Sequence, residues 1–229
     1  MEVPVLLIEF EGVLAETLRL RADALTEALA ADELETTTAL LHGVEGLCTE
    51  EAIRLIRDQL GAPDDPTAVE LARLRAERAF AARAGKGLRV AADARPTLER
   101  LTAVARLSLV TRASRREVEF VLDLAGLGAL FRPIIACEDA KAPKPSPAPY
   151  ALAMSRVTEL FPGQALRGIA VEDSVRGVRA ARAAGLLTII VGDLAPQDAM
   201  EADAWYPTLS DLTPERLRSL LGSSPKGAR

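Results

Sequence analysis

Gly168-Ile169-Ala170-Val171-Glu172-Asp173-Ser174-Val175-Arg176-Gly177, continuing to Ala180-Ala181 and Ala183-Ala184-Gly185, changes character halfway along. Its first four residues are an apolar run of strand length. Two acids follow, then a helical pattern from Ser174 to Ala184 that stops at Gly185, a good residue for the position just past a helix. A continuous apolar run of this length suits a strand buried on both faces of a parallel sheet. Four other runs share the pattern: Val5–Ile8, Leu107–Val110, Pro133–Ala136 and Leu187–Val191. Helical stretches separate them. One runs from Ser114 to Ala125, where Ser114 and Glu117 have capping-box spacing, and another starts at Thr213 with Pro214 in its first turn. Strands alternating with helices predict an α/β fold with a parallel, Rossmann-like sheet.

One region breaks the alternation. From about Ala15 to Gly87 the periodicity is helical, with helices predicted over Thr17–Ala31, Thr49–Leu60 and Thr67–Ala84 and a break at Gly61-Ala62-Pro63-Asp64-Asp65-Pro66. The expected organisation is an α/β core of residues 1–14 and 88–229, with a helical subdomain, 15–87, inserted after the first strand. The tail from Gly222 onward is predicted to fray.

Composition narrows the function. The chain has 229 residues, 49% apolar and 27% charged, as in a folded globular protein. A net charge of -5 and an aromatic content of 3% argue against nucleic-acid binding. No apolar run is long enough to span a membrane, and the first residues lack a basic signal-peptide start, so a cytoplasmic location is expected. Two cysteines, Cys48 and Cys137, cannot build a zinc cluster and read as small buried hydrophobes. The single histidine, His42, reads as a partly buried residue of the helical region. Only four of the 28 basic residues are lysines: Lys86, Lys141, Lys144 and Lys226.

Ligands of open parallel sheets bind beyond the carboxyl ends of the strands. After the first strand comes Glu9-Phe10-Glu11-Gly12-Val13. After the second comes Thr111-Arg112-Ala113-Ser114. After the third comes a Pro-rich loop with Lys141 and Lys144-Pro145, and after the fourth Glu172-Asp173-Ser174. Carboxylates, a hydroxyl, a lysine and helix N-terminal amides suit one hard divalent cation and one phosphate.

These segments, in this order, resemble the haloacid dehalogenase superfamily, phosphatase type, with a helical cap inserted after the first motif. The match rests on Ile8–Leu14, Val110–Ser114, Lys144-Pro145-Ser146-Pro147 and Val171–Gly177. The resemblance implies a Mg²⁺-dependent phosphatase acting on a small phosphorylated metabolite through a covalent acyl-phosphate. By the same resemblance, Glu9 is the nucleophile and a metal ligand. Glu11 is the general acid/base, with its backbone carbonyl on the metal. Thr111, the amides of Arg112 and Ala113, and Lys144 hold the phosphoryl group. Asp173 ligates Mg²⁺, with Glu172 in or near that shell.

The chain departs from the family where the chemistry is most demanding. The family's first motif has aspartate at both acidic positions, and here they are Glu9 and Glu11. The extra methylene moves each carboxylate by roughly 1 Å and adds a rotatable bond. An error of about 1 Å in the attacking atom can cost on the order of a hundredfold in rate. Ala148 stands where the lysine loop often has aspartate, and Asp93-Ala94-Arg95 where a Pro-Gly turn is common. Arg21 stands where β-phosphoglucomutases carry a hinge histidine, which argues against the mutase reaction. Slow hydrolysis is therefore expected. The alternative is a catalytically silent relative that binds a phosphorylated ligand or a protein partner. Dehalogenation is disfavoured, because it does not need the acidic pair Glu172-Asp173.

Overall fold

The structure is a computed structural model and describes residues 2–140 and 142–222. In chain order it contains β1 (Val3–Ile8), β2 (Ala15–Glu16), α1 (Leu18–Ala30), α2 (Thr38–Gly43), α3 (Thr49–Gln59), α4 (Pro66–Gly87), β3 (Arg89–Val90), α5 (Ala94–Thr102), β4 (Arg106–Val110), α6 (Arg115–Ala125), β5 (Ile134–Ile135), α7 (Ala148–Leu160), β6 (Leu166–Glu172), α8 (Val175–Ala183), β7 (Leu187–Val191), α9 (Pro196–Ala199), β8 (Ala204–Tyr206) and α10 (Pro214–Leu221).

Six of these strands form one parallel sheet in the order β5-β4-β1-β6-β7-β8. β1 and β6 lie at its centre, paired from Val3↔Leu166 to Ile8↔Val171. Val5 to Ile8 and Ile169 to Val171 are fully buried, as their unbroken apolar sequences require. Two layers cover the sheet. One face packs Leu6, Ile8, Leu109, Val171 and Ile189 against side chains from α5, α6 and α10. The other packs Val5, Leu7, Val110 and Ala170 against Tyr150, Ala153 and Val157 of α7 and Ala180 and Ala181 of α8. The capping box at Ser114–Glu117 forms as expected, and Gly126 ends α6 at φ 63°.

Between β1 and β4 lie α1 to α4, and α1, α3 and α4 share an apolar cluster of their own around Leu29, Ile53, Ile56 and Ala72. A two-residue antiparallel ribbon, β2 with β3, stands where this helical block leaves the core and returns to it. Among the described residues, no helix is long and apolar enough to cross a membrane.

The differences from the sequence reading are local. The strand expected over Pro133–Ala136 pairs only at Ile134 and Ile135. α2, α7, β8 and the β2–β3 ribbon have no counterpart in the predicted elements. Lys141 and the tail beyond Gly222 lie outside the described residues.

Candidate active site

The sheet register decides which side chains meet. Ile8 pairs with Val171, so Glu9 and Glu172 emerge beside each other at the carboxyl ends of β1 and β6. Both are buried. Lys144, from the loop before α7, reaches between them. Its Nζ donates to Glu9 Oε2 and Glu172 Oε1, and to the Val110 carbonyl at 3.2 Å, which ties it to the end of β4. Nζ also lies 4.9 Å from the centre of the Tyr150 ring. The Tyr150 hydroxyl donates to Glu172 Oε1. Glu9 Oε1 turns back on its own chain and accepts from the amides of Phe10 at 2.7 Å and Glu11 at 3.3 Å.

This cluster holds more acid than base. Burial alone would lower the Lys144 pKa, but Glu172 and Glu9 raise it above the usual lysine value, so it stays charged. Burial raises the Glu9 pKa; Lys144 opposes that rise, while Glu172 and Glu11 add to it. Asp173 is pushed up to about 7 by burial and then by Glu172 and Glu9. One ammonium thus faces three acids.

Glu11 points elsewhere. Its Oε1 accepts from Thr17 Oγ1 at 2.8 Å, and Arg21 Nη1 donates to both of its oxygens. Arg21 also donates to the Leu47 carbonyl at 3.0 Å and lies 3.6 Å from Glu117. Arg21 therefore anchors the second acid. Arg112, at the end of β4, binds the Ala140 carbonyl at 3.1 Å and reaches into the helical block to Glu51 and the Gly46 carbonyl.

Glu9, Glu11, Arg112, Lys144 and Asp173 line one cavity of about 200 Å³, which Glu45 and Gly46 of the helical block close from the other side. Thr111 and Ala113 are buried beside this cavity rather than on its wall. The Thr111 hydroxyl accepts from the Ala113 amide at 3.1 Å. Gly12, at φ 77°, lets the chain pass over Asp173: a Cβ there would lie 1.9 Å from Asp173 Oδ2. His42 is exposed rather than partly buried, 3.8 Å from Glu45. Cys137 is buried and Cys48 half-buried, and both are free thiols.

The hard oxygen donors and their excess negative charge fit Mg²⁺, which takes one or two carboxylates and keeps several waters. Glu9 and Asp173 line the cavity and are the acids that could hold it, Glu9 while also paired with Lys144; Glu11 is engaged by Arg21, and Glu172, by Lys144 and Tyr150, is not on the cavity wall. Among the described residues, no three acid, histidine or cysteine side chains converge as a ready-made metal cage. Arg21, Tyr150, Glu51 and Glu117 were not in the sequence-derived site. Arg21 was noted there only for replacing a histidine and Glu117 only as part of a capping box, while Glu51 and Tyr150 left no trace.

Comparison with known proteins identifies the family and the fold. Residues 6–191 match the haloacid dehalogenase-like hydrolase family. Protein CbbY of Cereibacter sphaeroides is 32% identical over 203 residues, covering 82% of this chain and 84% of that protein. Pyrophosphatase PpaX of Bacillus velezensis is 36% identical over 110 residues, a match that spans 46% of this chain and 49% of the pyrophosphatase. The crystal structure of CbbY from Rhodobacter sphaeroides in complex with phosphate has the same fold, with a TM-score of 0.75 and 24% identity, covering 93% of this chain and 96% of that one.

Proposed function

Because the chain belongs to the haloacid dehalogenase-like hydrolases, we propose that it is a slow, Mg²⁺-supported phosphatase of a small phosphorylated metabolite in the cytoplasm. One observation carries this reading. Lys144 draws the strand-end carboxylates Glu9 and Glu172 together at a cavity that Asp173 also lines. The helical block, residues 15–87, acts as a cap on the core formed by residues 1–14 and 88–229.

In this reading a Glu9 oxygen attacks phosphorus. The P–O bond to the leaving alcohol breaks, and an acyl-phosphate forms on Glu9. Glu11 gives the departing oxygen its proton. Water then attacks the acyl-phosphate, Glu11 takes the proton back, and Glu9 and inorganic phosphate are released. Lys144, on the cavity wall, steadies the phosphoryl oxygens; the Thr111 hydroxyl and the amides of Arg112 and Ala113, just behind the wall, join it only once the hydrogen bond between Ala113 and Thr111 opens. Glu9 and Asp173 would hold Mg²⁺, which would supply further positive charge when bound. Glu172 and Tyr150 keep Lys144 in place.

A second reading has its own support. Glu11 is engaged by Arg21 and Thr17, so the acid/base position is occupied. That favours a silent relative that binds a phosphorylated ligand or a protein partner. Hydrolysis of a generic aryl phosphate separates the two. Slow turnover that rises at least about a hundredfold in Glu9→Asp/Glu11→Asp supports the phosphatase, because only carboxylate position changes. No gain in a folded, Mg²⁺-binding revertant makes binding the function.

A further inference from the structure

Each cation on the wall of the site cavity has a carboxylate partner, with one exception among the described residues. Lys144 is held by Glu9 and Glu172, and Arg112 by Glu51. Just behind the wall, Arg21 is held by Glu11 and Glu117. Arg176, in the first turn of α8, lines the same cavity and makes no ion pair or hydrogen bond with any described residue.

The residue is exposed, yet its guanidinium lies against the helical block. The guanidinium crosses from the core to the helical block and rests on Gly46, where a Cβ would lie 2.0 Å from Nη2. Gly46 also has φ 76°, which glycine adopts without strain. A bare backbone at that point leaves room for the guanidinium at the cavity mouth. The carboxylate that shares the wall there, Glu45, lies beside His42.

We infer that Arg176 is a specificity-determining residue that binds a second anionic group of the substrate, a carboxylate or a second phosphate. The inference rests on the phosphatase reading: the first phosphate occupies the Glu9–Lys144 end, and the second anion faces the free guanidinium. A planar guanidinium binds either oxyanion in two-pronged fashion, with charge-assisted hydrogen bonds. A substrate with a neutral, polyhydroxylated leaving group would leave this cation unpaired.

Calorimetric titration with non-hydrolysable probes, at one fixed Mg²⁺ concentration, tests the assignment. The probes are inorganic phosphate, methylphosphonate, phosphonoacetate and methylenediphosphonate. At least one of the two probes with a second anionic group, phosphonoacetate or methylenediphosphonate, should bind about tenfold or more tightly than methylphosphonate, and whichever shows the larger margin identifies the second anion. Tenfold corresponds to about 1.4 kcal/mol. In Arg176→Gln the margin should vanish while methylphosphonate affinity stays within about twofold; in Arg176→Lys part of the margin should return. An undiminished margin in Arg176→Gln, or no margin in the unaltered protein, overturns the inference and leaves the phosphatase reading standing. If neither phosphate nor methylphosphonate binds the unaltered protein, the phosphatase reading fails and the inference fails with it.

Discussion

Arg21 Nη1 donates to both oxygens of the Glu11 carboxylate, at 3.1 and 3.2 Å, and ties the second acid of the first strand's end to the first helix of the inserted block. Both side chains are nearly buried. The longer acid and the arginine fit each other. A carboxylate extended by one methylene reaches a guanidinium that engages both of its oxygens at the cavity wall.

Removing Arg21 should therefore cost stability rather than simply free Glu11. Arg21→Met leaves Glu11 and Glu117 without their cation, and breaking such a buried pair costs about 3–5 kcal/mol. Urea unfolding should show a midpoint shift of that size with little change in slope. A loss within about 0.5 kcal/mol would mean that the pair is solvated and that Glu11 is free to act.

Mg²⁺ should raise the melting temperature, because a ligand bound only by the native state stabilises it by about 2.7 kcal/mol at a hundred times its dissociation constant. Asp173→Ala should abolish the rise. An unchanged shift in that variant would remove Asp173 from the metal site, and a chelator should reverse the effect in the unaltered protein.

Arg112 joins the end of β4 to the helical block through Glu51 and the Gly46 carbonyl. Arg112→Met should raise amide exchange across α3 and leave exchange in the central sheet unchanged. It should also weaken phosphate binding several-fold, because the cavity wall loosens. Uniform exchange changes throughout the chain would mean that Arg112 supports global stability instead.

A pH effect should arise at Asp139. Burial alone would raise its carboxyl, but the Ala136 amide, Arg156 and Arg115 together hold it below the usual 3.8. A depressed acid contributes stability above its unfolded pKa and loses it as pH falls through the folded value. Asp139→Asn should cost about 1.5 kcal/mol or more at neutral pH, since these hydrogen bonds are charge-assisted. The gap to the unaltered protein should start to narrow as pH falls through the unfolded aspartate value and close below the depressed folded one. A gap independent of pH would mean that packing, not charge, is lost.

The sheet was readable because its central strands are fully buried and write themselves as unbroken apolar runs, as Val5–Ile8 and Ile169–Val171 do. Apart from α7, the elements that were missed are short or lie at an edge. β8 is only three residues long and carries the exposed Trp205, and the two residues of β2 and of β3 are too few to show a period. α7 begins in the Pro-rich Lys144–Pro149 stretch, which hides its start. The strand-end acids and Lys144 were readable because the sheet places them. Where each carboxylate points was not, because Glu51, Glu117 and Tyr150 reach the site from elements far apart in sequence.

The pairing of residues 3–8 with residues 166–172 has a consequence for biosynthesis. A ribosome delivers β1 first, yet its neighbour β4 emerges only at residues 106–110 and β6 later still. The helical block has a cluster of its own and can settle while translation continues. Until β4 and β6 arrive, Val-Pro-Val-Leu-Leu-Ile is an unpaired, entirely apolar strand in the nascent chain. This protein is thus most exposed to misassociation during its own synthesis, before the sheet that buries β1 exists.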